Sequence, residues 1–169
     1  MGVKERSLSD KQPDYNFREI SFQRSAEVWM SEGQRFRIEV ANNLDALAPA
    51  SAQAEGWLET NEASPKQTYL AILAIEELVT NCIKYGYDDS NEHMIGIELG
   101  LADGTLTMSV TDDGHAFNPL DAATPDFGIA VERREIGGLG IHMLRKLSDD
   151  VQYERRDETN RITLTKRPA

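Results

Sequence analysis

The chain has 169 residues, 40% hydrophobic and 28% charged, the make-up of one water-soluble globular domain that can bury a core without staples. Its net charge is −11, from 29 acidic against 18 basic residues, so its long-range field disfavours duplex nucleic acid and anionic membrane as partners. One cysteine, Cys82, excludes an intrachain disulfide or a cysteine metal cluster, and no apolar run reaches the ~18 residues of a membrane helix.

The first residues, MGVKERSLSDKQPDYN, hold no apolar segment fit for a signal peptide, and cytoplasmic residence is the expectation. A phosphate-rich ligand would have to be held locally, by backbone amides, a helix N-terminus or a metal ion. Residues 1–15 are polar and contain Pro13, as a mobile tail would. Residues 16–32 carry Phe17, Ile20, Phe22, Val28 and Trp29 as apolar anchors, and strand, helix and partner-binding arm all remain open there. Residues 1–33 are therefore expected to be a partly mobile N-terminal extension, and 34–169 a single domain.

In 35–40, Phe36, Ile38 and Val40 alternate with Arg35, Arg37 and Glu39, the period of a half-buried strand. Residues 44–58 are Ala-rich with helical spacing, although Pro49 and Gly56 weaken the pattern. The clearest helix is 66–85, with Ser64 as N-cap, Pro65 at the first position and Gly86 past its end. On a 3.6-residue wheel Ile72, Ile75, Val79, Cys82 and Ile83 share the core face. Glu77, Asn81 and Lys84 share another, which Leu70 and Leu73 continue towards the N-terminus, as in the floor of a cleft. A hairpin follows: Ile95, Ile97 and Leu99, the turn Asp103-Gly104, then Leu106, Met108 and Val110. Residues 115–137, rich in Pro, Asp and Gly, have the length of a functional lid or a disordered segment. A helix over 140–147 and a hairpin through 151–153 and 162–164 close the chain. This order of elements predicts an α+β two-layer α/β sandwich, helices on one face of a mainly antiparallel mixed sheet.

Three short segments carry chemistry. Glu77 could take a proton from an attacking hydroxyl, and the amide oxygen of Asn81 suits Mg²⁺; a solvated helix face is the plain alternative. Asp112, where a strand runs into Asp112-Asp113-Gly114, could accept a hydrogen bond from an exocyclic amine, or simply open a turn. Gly137-Gly138-Leu139-Gly140 at a helix start lets backbone amides approach phosphate, or serves as a loop. The histidines His93, His115 and His142 are too scattered for a metal site and read as surface or packing residues. Cys82 reads as a buried structural thiol, Trp29 and Trp57 as anchors, and the charges of 154–158 as a solvated hairpin.

In combination the three segments resemble the Bergerat-type (histidine-kinase-like) ATP-binding fold, and most closely the anti-sigma factor serine kinases of bacterial partner-switching systems. Residues 76–87, EELVTNCIKYGY, resemble that family's N box. DDGHAFNP, 112–119, resembles its first glycine box, with Ala116 where a second glycine is usual, and GGLGIHML, 137–144, its second. The resemblance covers roughly 34–166. It implies Glu77 as the base that activates a target serine, Asn81 as Mg²⁺ ligand and Lys84 as a phosphate contact. It implies Asp112 as reader of adenine, Gly114 beside the base, and Gly138, Leu139 and Gly140 under the phosphates. It also implies ATP and Mg²⁺ as cofactors, a sigma factor and an anti-sigma factor antagonist as partners, and a homodimer. An ATP-gated regulator without kinase activity and a stand-alone histidine kinase catalytic domain are the alternatives.

Overall fold

A computed structural model of the chain describes residues 33–121 and 139–168. The chain divides into units Met1–Met30 and Ser31–Ala169, and the described residues belong to the second. Residues 1–32 of the expected extension, with Trp29, and all but the first residues of the expected lid therefore lie outside them.

Five strands form one open sheet in the order β1-β2-β3-β5-β4, with β1 Gln34–Ala41, β2 Met94–Ala102, β3 Thr105–Asp112, β4 Asp150–Arg156 and β5 Thr159–Lys166. All four pairings are antiparallel, so the parallel component expected of a mixed sheet is absent among the described strands. The hairpins β2–β3 and β4–β5 use two-residue turns with positive φ at both positions, Asp103-Gly104 (49°, 72°) and Asp157-Glu158 (48°, 65°). Such turns match the right-handed twist of the strands they join.

The register places apolar rows across the sheet. Ile97 faces Val110 and Val110 faces Ile162; Leu99 faces Met108 and Met108 faces Leu164. All six are at most 7% exposed, on the face covered by the helices. Burying each such side chain contributes about 1.5–3 kcal/mol, against about 1 kcal/mol for a hydrogen bond. The apolar rows therefore set the register, and polar residues further along the same strands are carried into place by it. On the opposite face Arg161 donates to Glu98 (2.8 Å) and to Ser109 (2.9 Å).

The helices are α1 Leu47–Thr60, α2 Pro65–Ala74, α3 Thr80–Tyr85 and α4 Leu139–Leu147, with a π-helical stretch Ile75–Val79 joining α2 to α3. Pro49 falls in the first turn of α1, where a backbone N–H has no helical partner to lose, so it does not break the helix. Ser64 caps α2 in a reciprocal capping box with Gln67. Gly86 ends α3 in a right-handed conformation (φ −80°) rather than the left-handed one expected of a terminal glycine. Among the described residues no helix is long and apolar enough to cross a membrane.

The π stretch changes the wheel. One extra residue per turn rotates everything after it relative to everything before it. Leu70, expected on the cleft face, is 2% exposed and belongs to the core with Ala71, Ala74 and Ile75. Within the π stretch Leu78 is both buried and part of a cavity wall, and past it Asn81 and Cys82 line the same cavity.

Candidate functional site

The sheet register builds one wall of the site. Asp112 lies directly across from Asn160 on β5, and Asn160 across from Arg155 on β4. Because side chains alternate along a strand, Asp112 shares the helix-facing side with Met108 and Val110 and forms the polar end of an apolar row. Asn160, 6% exposed, donates through Nδ2 to Asp112 Oδ1 (2.9 Å) and to the His115 carbonyl (2.8 Å). Its Oδ1 accepts from the Tyr153 hydroxyl (2.8 Å) and from Arg155 (2.8 Å), and Arg155 also donates to the Gly114 carbonyl (2.9 Å). Every polar atom of Asn160 is therefore engaged in fixing the loop after β3.

Asp112 Oδ1 also accepts the Gly114 N–H at 2.9 Å. Its Oδ2 is met by the Cys82 thiol at 3.4 Å. Burial, and then the Asp112 carboxylate, push the Cys82 thiol well above its ordinary range, so it stays protonated and donates. A thiol is a weak donor. Asp112 Oδ2 thus keeps capacity for a stronger hydrogen bond from a ligand.

Above this pair is a cavity of about 180 Å³ with walls from Leu78, Val110, Phe117, Pro119 and Ile162 and a polar floor of Asp112 and Asn160. Sites that enclose a drug-sized molecule measure ~300–1,000 Å³. This one takes a single flat ring system and leaves the rest of a larger ligand outside. Asn81 lines the cavity, and its side chain is hydrogen-bonded to no described residue. Gly114 is required by close approach: a Cβ there would lie 2.5 Å from the Gly86 carbonyl oxygen. That contact, with the His115 N–H donating to the same oxygen (2.8 Å), holds the loop after β3 against the end of α3.

Glu77 stands outside the cavity, half-buried, against the start of α4. A Cβ on Gly140 would lie 1.9 Å from Glu77 Oε2 and 2.0 Å from its Cδ, so only glycine lets the carboxylate rest there. Leu139, the first residue of α4, is 53% exposed. Lys84 is exposed on the last turn of α3 and does not line the cavity. Gly138 lies outside the described residues. The structure thus brings Asn81 and Asp112 to one cavity, sets Gly114 in the loop behind it, and brings Glu77 to Gly140 beside it, with Lys84 exposed.

Sequence reasoning missed Asn160, Tyr153 and Arg155, and placed the charges of 154–158 on a solvated hairpin. Arg155 instead reaches back to the Asp112 loop. The only sequence signal was the strand pairing itself, which no local pattern reports. Cys82, expected in the core, supplies part of the cavity wall. The amide oxygen of Asn81 is a hard ligand of the kind Mg²⁺ takes, so Asn81 fits that ion. Among the described residues no cluster of histidine, cysteine and acidic side chains could hold a metal by itself.

Residues 40–166 match the family model of the histidine kinase-like ATPase domain. The serine/threonine-protein kinase BtrW of Bordetella bronchiseptica is 24% identical over 130 residues, which cover 75% of this chain and 92% of that protein. The serine-protein kinase RsbW of Bacillus velezensis is 28% identical over 87 residues, 48% of this chain and 54% of its own. The anti-sigma F factor of Heyndrickxia coagulans is 26% identical over 94 residues, 55% of this chain and 64% of its own. The chain thus spans little more than half to two thirds of the latter two relatives. In fold it is similar to the crystal structure of the RsbU and RsbW domains of a Mycobacterium tuberculosis protein, with a TM-score of 0.58 and 23% identity, covering 79% of this chain and 32% of that one.

Proposed function

The chain belongs to the histidine kinase-like ATPase domain family, and on that premise we propose that it is an ATP-dependent serine protein kinase of the anti-sigma-factor type. It transfers the γ-phosphate of ATP to a serine of an antagonist protein and sequesters a sigma factor. The names of its relatives, serine-protein kinase RsbW and anti-sigma F factor, support this choice within the family.

The observation that carries the reading is Asp112 at the floor of a ring-sized cavity, one oxygen fully engaged and the other held by a weak donor alone. That is the acceptor an adenine amine needs. With the base in the cavity, ribose and phosphates extend outside it, and Gly140 and the N-terminus of α4 favour their negative charge. Asn81 would hold Mg²⁺, which supplies charge neutralisation at the phosphates.

Glu77 is the proposed base. The serine hydroxyl gives its proton to Glu77, the new Oγ–P bond forms, the bond from the γ-phosphorus to the bridging oxygen breaks, and ADP leaves with that electron pair. Such transfers depend on positioning and charge more than on covalent help. A general base contributes ~10²–10⁴-fold.

The test combines calorimetric titration of ATP with and without Mg²⁺ and transfer of labelled phosphate to the cognate antagonist. Glu77→Ala should retain ATP binding and lose phosphoserine formation by about 10²-fold or more. Undiminished transfer in that variant removes Glu77 as base. ATP binding with no transfer by the unaltered protein would leave a nucleotide-gated regulator instead, and an acid-labile product would mark a histidine kinase.

A further inference from the structure

On the edge of the site, outside the cavity, His93 is held at both ring nitrogens. Nε2 lies 2.9 Å from Asp89 Oδ1 and Nδ1 lies 3.1 Å from Asp113 Oδ1. An ionised carboxylate can only accept, and a neutral imidazole carries only one N–H. Both contacts are hydrogen bonds only when the ring is an imidazolium. The ring stacks on Tyr87 with centroids 4.1 Å apart and planes 18° apart, and its side chain is 19% exposed.

The residue is anchored at its backbone too. Its N–H donates to Asn42 Oδ1 (3.1 Å), and the Asn42 N–H donates to its carbonyl (3.0 Å), so the ring hangs from the end of β1. Asp113, which it grips, sits between Asp112 and Gly114. The other ties on that loop come from elsewhere: Asn160 and Arg155 from the sheet, and Gly86 from the end of α3. His93 closes the remaining side.

We propose that His93 is a positioning residue: as an imidazolium bridging Asp89 and Asp113 it locks the loop that presents Asp112, and so makes nucleotide affinity depend on pH. This rests on the reading of Asp112 as the adenine acceptor.

The groups facing the ring are Asp89, Asp113 and Tyr87; Asp88, His115, Arg155 and Glu158 line the same open groove. The His115 ring pairs with Asp88 (3.0 Å) and with no second carboxylate among the described residues, and its side chain is 53% exposed, so it lacks the two-sided grip. Burial and the Asp112 charge push the Tyr87 hydroxyl up, so it stays neutral where His93 titrates. The hydrogen bond to Asp89, against the cost of desolvation, and then the one to Asp113 raise the His93 pKa above its ordinary value. The sign follows. The clamp is complete below the unfolded value of ~6.5 and is lost as pH rises through the raised folded value.

The experiment measures Mg-ATP affinity by calorimetry from about pH 6 to about pH 9, a range that brackets the imidazole value of ~6.5. The ligand's own phosphate titration is common to all variants and cancels in their ratios. The unaltered protein should lose affinity with rising pH, by about fivefold if the coupling has ordinary size. His93→Gln should bind at the weaker, high-pH level throughout. His93→Arg keeps a permanent charge and a planar fork able to reach both carboxylates, and should bind at the tighter level with no pH dependence. Equal pH slopes in the unaltered protein and His93→Gln overturn the proposal. So does a uniform loss in His93→Gln that His93→Arg does not restore. A separate NMR titration of the His93 ring in nucleotide-free protein should fall towards the ordinary value in Asp113→Asn, and its staying put also overturns the clamp. If Asp112→Asn binds Mg-ATP as the unaltered protein does, the adenine-site reading fails by itself, and the NMR titration still decides the clamp.

Discussion

At the scale of single residues, the site works by exclusion as much as by attraction. Gly140 is defined by what it lacks: a methyl group there would stand 1.9 Å from Glu77 Oε2. In Gly140→Ala the helix itself loses nothing, since alanine is the better helix former by about 1 kcal/mol. Glu77 must move instead. A misplacement of that order costs ~10²-fold in a positioned reaction, so phosphoserine formation should fall about that far while the circular-dichroism melt stays near the parent's. Unchanged transfer in a folded variant would mean that Glu77 does not act from beside α4. Asp112 and Glu77 were singled out in the sequence through the family resemblance of their motifs, and the fold sets Asp112 at the cavity and Glu77 beside Gly140. Asn160 was not, because its partners Asp112, His115, Tyr153 and Arg155 meet it through strand register. The Asp112 loop is bound on one side by that network and on the other by His93, and neither has a sequence signature.

At the scale of elements, α2 is the junction between the helical layer and the sheet. Gln67 completes the capping box at its start and also donates to the Gly104 carbonyl (2.7 Å) and the Lys166 carbonyl (3.1 Å). It is 3% exposed. One side chain therefore joins a helix end, the β2–β3 turn and the end of β5. Gln67→Ala leaves two carbonyls and the Ser64 N–H without that partner, and a buried group left unpaired costs about 1–3 kcal/mol. Urea denaturation should show a loss of this size with an unchanged slope, and a loss below about 0.5 kcal/mol would mean that water replaces the side chain. Ser64 and Pro65 announced this helix start by capping chemistry. The π stretch Ile75–Val79 was hidden, because an apolar pattern with one inserted residue still fits a 3.6 period over either half alone. Leu70 before it is in the core, and Leu78 within it and Asn81 and Cys82 after it line the cavity. Pro49 was misleading for the opposite reason: the rule against proline applies to helix interiors, and Pro49 lies in a first turn.

At the scale of the molecule, a net charge of −11 surrounds a site proposed for a polyanion. Salt should then act contrary to its usual effect on phosphate binding. At basic sites affinity falls steeply with added salt, because the protein's positive charges are screened. Here the general field opposes the ligand and the attraction is short-ranged, so Mg-ATP affinity should stay level or rise as ionic strength increases past ~0.1 M, where the screening length is about 10 Å. A steep fall, measured by calorimetry in a salt series, would reveal cationic contacts beyond the described residues. Net charge and the order of elements were legible from composition and periodicity, and so was the antiparallel sheet with helices on one face.

The strand that carries Asp112 is the middle one of five, bonded on both sides to neighbours that are themselves paired. Its amides can exchange with solvent only when the whole sheet opens, because the deepest strands share the global unfolding free energy. Glu77 and Gly140 meet where two helices touch, a contact that can loosen without breaking a single sheet bond. The half of the site proposed to recognise the base is therefore as durable as the fold itself. The half proposed to handle the phosphate rests on a contact between helices, outside the hydrogen-bonded sheet.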